Sequence, residues 1–170
     1  MAKSTDDLIL EQIAGSERTG TLDGLEIEFW KGGGLPPPDY KSDQLRLMTT
    51  GGRDVIEFAS LKWDSRFDPP QVHEKWVVAA NSVEIRKLAH LLQSTHVFTK
   101  QYPEEQNPGI ADIFSYEVLV TAKGREEKRT YYQNLPEELR PLQANFESLI
   151  ELAKTQGSRG LYHQGKEVKP

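Results

Sequence analysis

The chain has 170 residues, of which 36% are hydrophobic and 28% are charged, and its formal net charge is -5. This size and balance are typical of one folded domain and exclude a chain that is disordered throughout. The absence of cysteine excludes disulfides, thiolate zinc sites and thiol nucleophiles, and the acidic balance, without a basic stripe, excludes nucleic acid as the expected partner.

The apolar segments and the start of the chain indicate no membrane insertion. No apolar run approaches the roughly 20 residues that a membrane-spanning helix needs. The polar residues from Lys3 to Asp7 lack the apolar core of a signal peptide. We therefore expect neither a membrane protein nor one that carries a recognisable export signal. A cytoplasmic location is the default expectation.

The first predicted element is a short helix near residues 5 to 14. Ser4 and Thr5, followed by two aspartates, are typical of a helix start, because their side chains satisfy or attract the free N–H groups of the first turn. Gly15 is a typical stop signal, so we expect the helix to end there.

A strand and a rigid loop are predicted next. Between the turn signal at residues 23–24 and Gly32, apolar residues alternate with glutamates, which is the period of a half-buried strand. Residues 32–40 combine three glycines with three prolines and predict a loop, partly in polyproline II conformation. Residues 37–40 match the PPxY pattern that WW domains bind, while a rigid connection with Tyr40 packed down is the alternative interpretation.

The middle of the chain predicts a hairpin, a further strand and a helix. Alternating residues on both sides of the turn at 50–53 predict the hairpin. After a second proline loop, at 64–70, residues 72–78 are expected to form a strand. Asn81 and Glu84 form a capping box, and the apolar face behind it predicts a helix over 82–94.

The rest of the chain predicts a second hairpin, a helix and a tail. Strands over 114–122 and 125–132 flank a two-residue turn, which would place Glu117 opposite Thr130 and Tyr116 opposite Tyr131. The apolar stripe that ends at Ala153 predicts a helix up to Gly157. Residues 158–170 show little periodicity and are expected to be a flexible tail to a single domain of residues 1–157.

Hairpins that are each followed by a helix favour an α+β fold. We expect a single antiparallel sheet with the two main helices packed on one face, plus the short N-terminal helix. An antiparallel sheet curled into a half-barrel around the longer helix is the alternative.

No catalytic residue, metal site or cofactor is predicted. The four histidines lack metal-ligand spacing, and no serine lies in a nucleophile elbow. The glycines at 32–34 precede prolines rather than a helix, which excludes a phosphate loop. His73 and Glu74, beside a proline loop and near Asp68, are the one place where a His–carboxylate pair would serve an enzyme or a small-molecule site.

Aromatic residues cluster around the two proline loops. Exposed aromatic side chains beside rigid loops are typical of protein contact surfaces, whereas packing at the edge of the core is the alternative explanation. The function expected is a non-catalytic protein-interaction or regulatory module, with a small-molecule binder or an enzyme near His73 as the alternative. The candidate binding residues are Trp30, Tyr40, Trp63, Phe67, His73 and Trp76.

The order of elements over residues 25–155 resembles that of emfourin-like proteinase inhibitors. The features concerned are a strand that ends in Phe29, Trp30 and glycines, a hairpin, an apolar helix ending in Phe98, a strand bearing Tyr116, and a final helix. The resemblance implies a non-enzymatic protein that blocks a metalloprotease by inserting a surface loop, with residues 30–34 as the nearest counterpart. The chain is longer than that pattern, and its proline loops depart from it.

Overall fold

The computed structural model of the chain describes residues 1–33, 41–62, 69–110, 113–163 and 166–168. These residues contain three α-helices: α1 (Thr5–Thr19), α2 (Ser82–Ser94) and α3 (Arg140–Gln156). Short 3-10 helices span Pro103–Glu105 and Glu137–Leu139. The strands are β1 (Glu26–Gly32), β2 (Lys41–Thr50), β3 (Arg53–Lys62), β4 (Gln71–Ala79), β5 (Ser115–Ala122), β6 (Arg125–Tyr132), β7 (Ser158–His163) and β8 (Lys166–Val168).

The eight strands of the described residues form one sheet in the order β6-β5-β1-β2-β3-β4-β7-β8. Every neighbouring pair runs antiparallel. The predicted α+β class with a single antiparallel sheet is therefore confirmed. In the part of the chain that the structure describes, no helix is long and apolar enough to cross a membrane.

Helix α1 begins where the sequence predicts but ends five residues later than expected. The Ser4 hydroxyl accepts from the Asp7 N–H at 3.1 Å, as a capping box requires. Gly15 lies inside the helix, because one interior glycine costs only about 1 kcal/mol and the buried Ile13 holds the turn against the core. The stop is Gly20, whose φ of 69° turns the chain out of the helix.

Both predicted hairpins, the intervening strand β4 and the helices α2 and α3 are present. The Asn81 side chain accepts from two N–H groups at the start of α2, as its pattern predicts. In the β5–β6 pair, Glu117 lies opposite Thr130 and Tyr116 opposite Tyr131, so the predicted register is confirmed.

The last segment contains two strands that the sequence pattern does not predict. Residues Ser158 to Leu161 of β7 pair with Glu74 to Val77 of β4. This pairing satisfies backbone groups of β4 that would otherwise lie at an open sheet edge, and it requires no alternating side-chain pattern. That residues 158–170 are flexible stays a prediction.

The sheet has two chemically different faces, which we name after neighbouring residues of β1. Residues directly opposite each other in a ladder share a face. The Phe29 face is apolar, and there the ring of Phe29 stacks on that of Phe146 from α3 with centroids 4.4 Å apart. The Phe29 face comprises Phe29, Leu45, Phe58, Trp76 and Val118, and the Trp30 face comprises Trp30, Gln44, Ala59, Lys75 and Glu117.

Candidate binding surface at one end of the sheet

The loops that carry the predicted binding residues all leave the sheet at one end. The register places Gly32, the last residue of β1, opposite Ser42 of β2 and Ser115, the first residue of β5. It likewise places Lys62, the last residue of β3, opposite Gln71, the first residue of β4. We call this end the loop end: residues 33–40 connect β1 to β2, residues 63–70 connect β3 to β4, and residues 106–114 lead from the 3-10 helix Pro103–Glu105 into β5.

Three candidate binding residues fall in these connections but outside the described residues. Tyr40 belongs to the undescribed segment 34–40, and Trp63 and Phe67 belong to 63–68. The polyproline II conformation predicted for residues 34–40 and the PPxY motif lie there too. What the structure fixes is the position of the residues that flank these segments.

Two glycines determine how the first loop leaves β1. A Cβ atom on Gly32 would lie 2.7 Å from Ser42 Cβ, and one on Gly33 would lie 2.3 Å from the carbonyl oxygen of Ile113. Gly33 also has a φ of 102°, which side chains rarely tolerate. The glycine run is thus explained by close backbone approach, and it ties the exit of the first loop to residue 113 of the third connection.

The side chain of Trp30 is half-buried and lies near the loop end, where it lines an open cleft on the Trp30 face of the sheet. It is opposite Glu117 in the β1–β5 ladder and opposite Gln44 in the β1–β2 ladder. We name this cleft, which has a volume of about 290 Å³, the Trp30 cleft. Its lining residues are Glu28, Trp30, Gln44, Glu117, Leu119, Glu126 and Lys128.

A network of charged side chains continues from the cleft across the same face. The guanidinium of Arg46 pairs with Glu26 and lies 3.9 Å from Glu28 Oε1 and 4.0 Å from Glu57 Oε1. Lys75 Nζ lies 3.8 Å from the other oxygen of Glu57. Burial opposes the charge of Arg46, but the hydrogen bond to Glu26 and the three carboxylates outweigh it and raise its pKa.

Trp76 lies on the opposite face from Trp30. Its ring packs 5.4 Å from that of Phe58, and Lys154 Nζ and the Arg159 guanidinium each lie 5.8 Å from its centre. It is therefore packed between the sheet and α3, and the structure does not bring it together with Trp30.

His73 and Glu74 lie on β4, beside the irregularity in its pairing with β3 at Ser60 and Leu61. His73 Nε2 is 3.9 Å from Glu74 Oε1, and the His73 side chain is 41% exposed. The same carboxylate oxygen lies 3.1 Å from Arg159 of β7, so an ion pair to a neighbouring strand already holds Glu74. Asp68 lies outside the described residues.

Sequence reasoning missed the Trp30 cleft. The alternation of glutamates in β1 indicates an exposed face, but the cleft depends on β5 lying beside β1, which the alternation does not reveal. No protein-family model matches the chain, and no curated protein matches it either. The resemblance to emfourin-like proteinase inhibitors therefore stays a prediction.

Proposed function

We propose that the chain is a non-catalytic protein-interaction module whose contact surface is the loop end together with Trp30. The observation that carries the proposal is the convergence of three connections at one end of an eight-stranded sheet. Recognition residues are commonly held on loops that a rigid scaffold positions. A cytoplasmic location and a protein partner belong to this proposal.

The composition of these connections supports a protein partner. The first two carry Tyr40, Trp63 and Phe67 together with five prolines. Trp30 lies on β1, two residues before the last residue of that strand. Aromatic side chains supply much of the binding energy at protein interfaces. Prolines reduce the conformational freedom that a loop loses on binding, which favours tight association.

The arrangement of helices is part of the same proposal. The stacking of Phe146 on Phe29 and the position of Lys154 over Phe58 support a helical layer on the Phe29 face. With the two main helices on that face only, the Trp30 face and the loop end would both be open to a partner. The partner that the emfourin-like resemblance implies is a metalloprotease, blocked by insertion of the loop that follows Trp30.

Two measurements test the proposal, each with the same set of variants. The first is recovery of a partner from an extract of the source cells, and the second is inhibition of a panel of purified zinc metalloproteases. We expect Trp30→Ala and Tyr40→Ala each to weaken binding about tenfold or more, since truncating an interface hot spot costs about 2 kcal/mol or more. The matched control is Arg53→Ala, at an exposed position on the opposite end of the sheet.

The outcomes separate the parts of the proposal. Equal loss in Arg53→Ala, or no loss in Trp30→Ala and Tyr40→Ala while both variants stay folded, would contradict the loop end as the contact surface. If a metalloprotease is inhibited and the inhibition depends on Trp30 and Tyr40, the inhibitor interpretation is supported. If a different stable partner binds with the same dependence, that partner replaces the metalloprotease in the proposal.

A site for a small molecule or a reaction near His73 is the second candidate. The 3.9 Å distance between His73 and Glu74 is compatible with a His–carboxylate pair. The pair of Glu74 with Arg159 explains the same carboxylate without a ligand, so this candidate ranks below the first. The test is to add a small-molecule library and record the chemical shifts of His73. Shifts that change in the natural chain but not in Glu74→Gln would place this candidate above the protein-interaction module.

A further inference from the structure

The Trp30 cleft places an aromatic ring between carboxylates. Glu117 lies directly opposite Trp30 on β5, and Glu28 precedes it by two positions on β1, so all three side chains share one face. Residues directly opposite each other in a ladder have Cβ atoms about 4.5–5.5 Å apart. One ligand group at the ring therefore lies within reach of both carboxylates.

The charges that line the cleft are not balanced. Three carboxylates, those of Glu28, Glu117 and Glu126, face one ammonium group, that of Lys128. Lys128 Nζ lies 3.5 Å from Glu117. The Arg46 guanidinium lies 3.9 Å from Glu28, but it is shared with Glu26 and Glu57, so the negative charge of the lining is only partly balanced. The Glu28 and Glu117 side chains are only 20% and 28% exposed, so the attraction is weakly screened by water.

A buried hydroxyl beside the cleft has no hydrogen-bond partner in the part of the chain that the structure describes. Ser42 lies on the Trp30 face, two positions from Gln44 on β2, and is 1% exposed. Among the described residues its Oγ forms no hydrogen bond. Buried polar groups without a partner are uncommon, and a bound water, an ion or a ligand group can explain one that lies beside a cleft.

The chain already pairs cations with aromatic rings elsewhere. Lys154 Nζ lies 5.0 Å from the centre of the Phe58 ring, and Lys75 Nζ lies 5.3 Å from that of Tyr162. Within the described ranges, the contacts of this kind do not include Trp30. Tryptophan is the ring that attracts cations most strongly.

We propose that the Trp30 cleft binds a lysine or arginine side chain of the protein partner. The cationic group lies over the Trp30 ring, and the carboxylates of Glu28 and Glu117 receive its hydrogen bonds. This inference rests on the proposed function, since it names the chemistry of the partner at one part of the contact surface. The partner accordingly presents a basic residue close to the segment that meets the loop end.

The test is a titration of the full chain, followed by nuclear magnetic resonance, with a blocked tripeptide that has arginine between two alanines. The matched probe replaces arginine by citrulline, which keeps the shape and loses the charge. We expect the arginine peptide to shift the Trp30 indole signal and the amides of Glu28 and Glu117. Trp30→Leu should weaken binding about threefold or more, because a cation over an aromatic ring contributes about 0.5–2 kcal/mol.

A pair of variants separates the cleft from the general charge of the protein. Glu117→Gln removes one charge from the cleft and should weaken binding severalfold, while Glu151→Gln removes one exposed charge from α3 and should leave binding unchanged. Equal binding of the citrulline peptide, equal effects of the two variants, or shifts confined to other residues would each overturn the inference.

The result is distinguishable from failure of the proposed function. Loss of partner binding in Tyr40→Ala, with no peptide binding at Trp30, retains the contact surface and rejects the cationic ligand. Peptide binding at Trp30, with no protein partner that depends on Tyr40, rejects the contact surface at the loop end and retains the cleft as a site for a cationic side chain.

Discussion

Phe29 and Phe146 lie face to face, with ring centroids 4.4 Å apart and planes 7° from parallel. They come from β1 and α3, more than a hundred residues apart in the chain, and both are at most 2% exposed. Tyr116 extends the group, with its ring centroid 6.3 Å from that of Phe29. The stack joins α3 to β1 within the sheet. The next residue of β1 is Trp30, whose side chain lies on the other face.

Removing the ring of Phe146 should therefore destabilise the whole domain. We expect Phe146→Ala to lower the free energy of unfolding by about 3–5 kcal/mol, through lost burial and the cavity left behind. Phe146→Leu should cost less, since it keeps most of the apolar volume. Urea unfolding followed by circular dichroism measures both, and a loss below about 1 kcal/mol in Phe146→Ala would show that the stack is not part of the stabilising core.

The exit of β1 gives a second prediction, which isolates the close approach of Gly33 to Ile113. Gly33 and Gly24 both have positive φ, at 102° and 82°, but an added Cβ meets the Ile113 carbonyl oxygen at 2.3 Å only at Gly33. Gly24→Ala should cost about 1–2 kcal/mol from backbone conformation alone. Gly33→Ala should cost at least about 1 kcal/mol more, because backbone must move to relieve the overlap. Equal losses of unfolding free energy in the two variants would refute the role of this contact.

Much of the fold could be predicted because its signals are local. The capping box at Asn81 and Glu84 involves residues three apart, and the two-residue turn at 123–124 fixes the register that pairs Tyr116 with Tyr131. Such signals depend on hydrogen bonds within a few residues, so they survive in any fold that contains the element.

The parts that could not be predicted depend on contacts between distant segments. Gly15 carries the same local signal as Gly20, and only the packing of the last turn of α1 decides between them. Strand β7 forms because an edge of β4 is available, although its own residues show no alternation. The Trp30 cleft exists because β5 lies beside β1 in the sheet. The strand that precedes β5 in the chain is β4, and it lies elsewhere in the sheet.

The start of α2 offers a third prediction. The Asn81 side chain accepts hydrogen bonds at 3.0 Å from the N–H groups of Val83 and Glu84. Asn81→Ala removes both acceptors and should lower the free energy of unfolding by about 1 kcal/mol. Asn81→Asp keeps an acceptor and adds a charge that the helix N-terminus attracts, so its stability should stay close to that of the natural chain. Urea midpoints measure the series, and an aspartate variant as unstable as the alanine variant would contradict this explanation.

The fourth prediction concerns Tyr102, which is 7% exposed and donates its hydroxyl proton to the carbonyl oxygen of Thr95 at 3.0 Å. Burial, followed by the nearby carboxylate of Glu138, raises the pKa of Tyr102 from 10 to about 12. Burial also raises the pKa of Tyr131, whose ring lies edge-on to that of Tyr102. Both phenols therefore keep their protons in the folded chain at pH values where the unfolded chain loses them.

The stability that the Tyr102 phenol contributes is complete below pH 10, the ordinary tyrosine pKa, and is lost as the pH rises from there through 12. The contribution of Tyr131, whose pKa is also raised, decreases in the same direction. Between these values the unfolded state has released protons that the folded state retains, so the free energy of unfolding falls with pH. In Tyr102→Phe the free energy of unfolding should fall less steeply with pH, and the fall that is left should be due to Tyr131. Urea unfolding of both proteins across this range, with tyrosinate absorbance recorded in parallel, measures the difference. Identical slopes for the two proteins would mean that Tyr102 does not retain its proton when the chain folds.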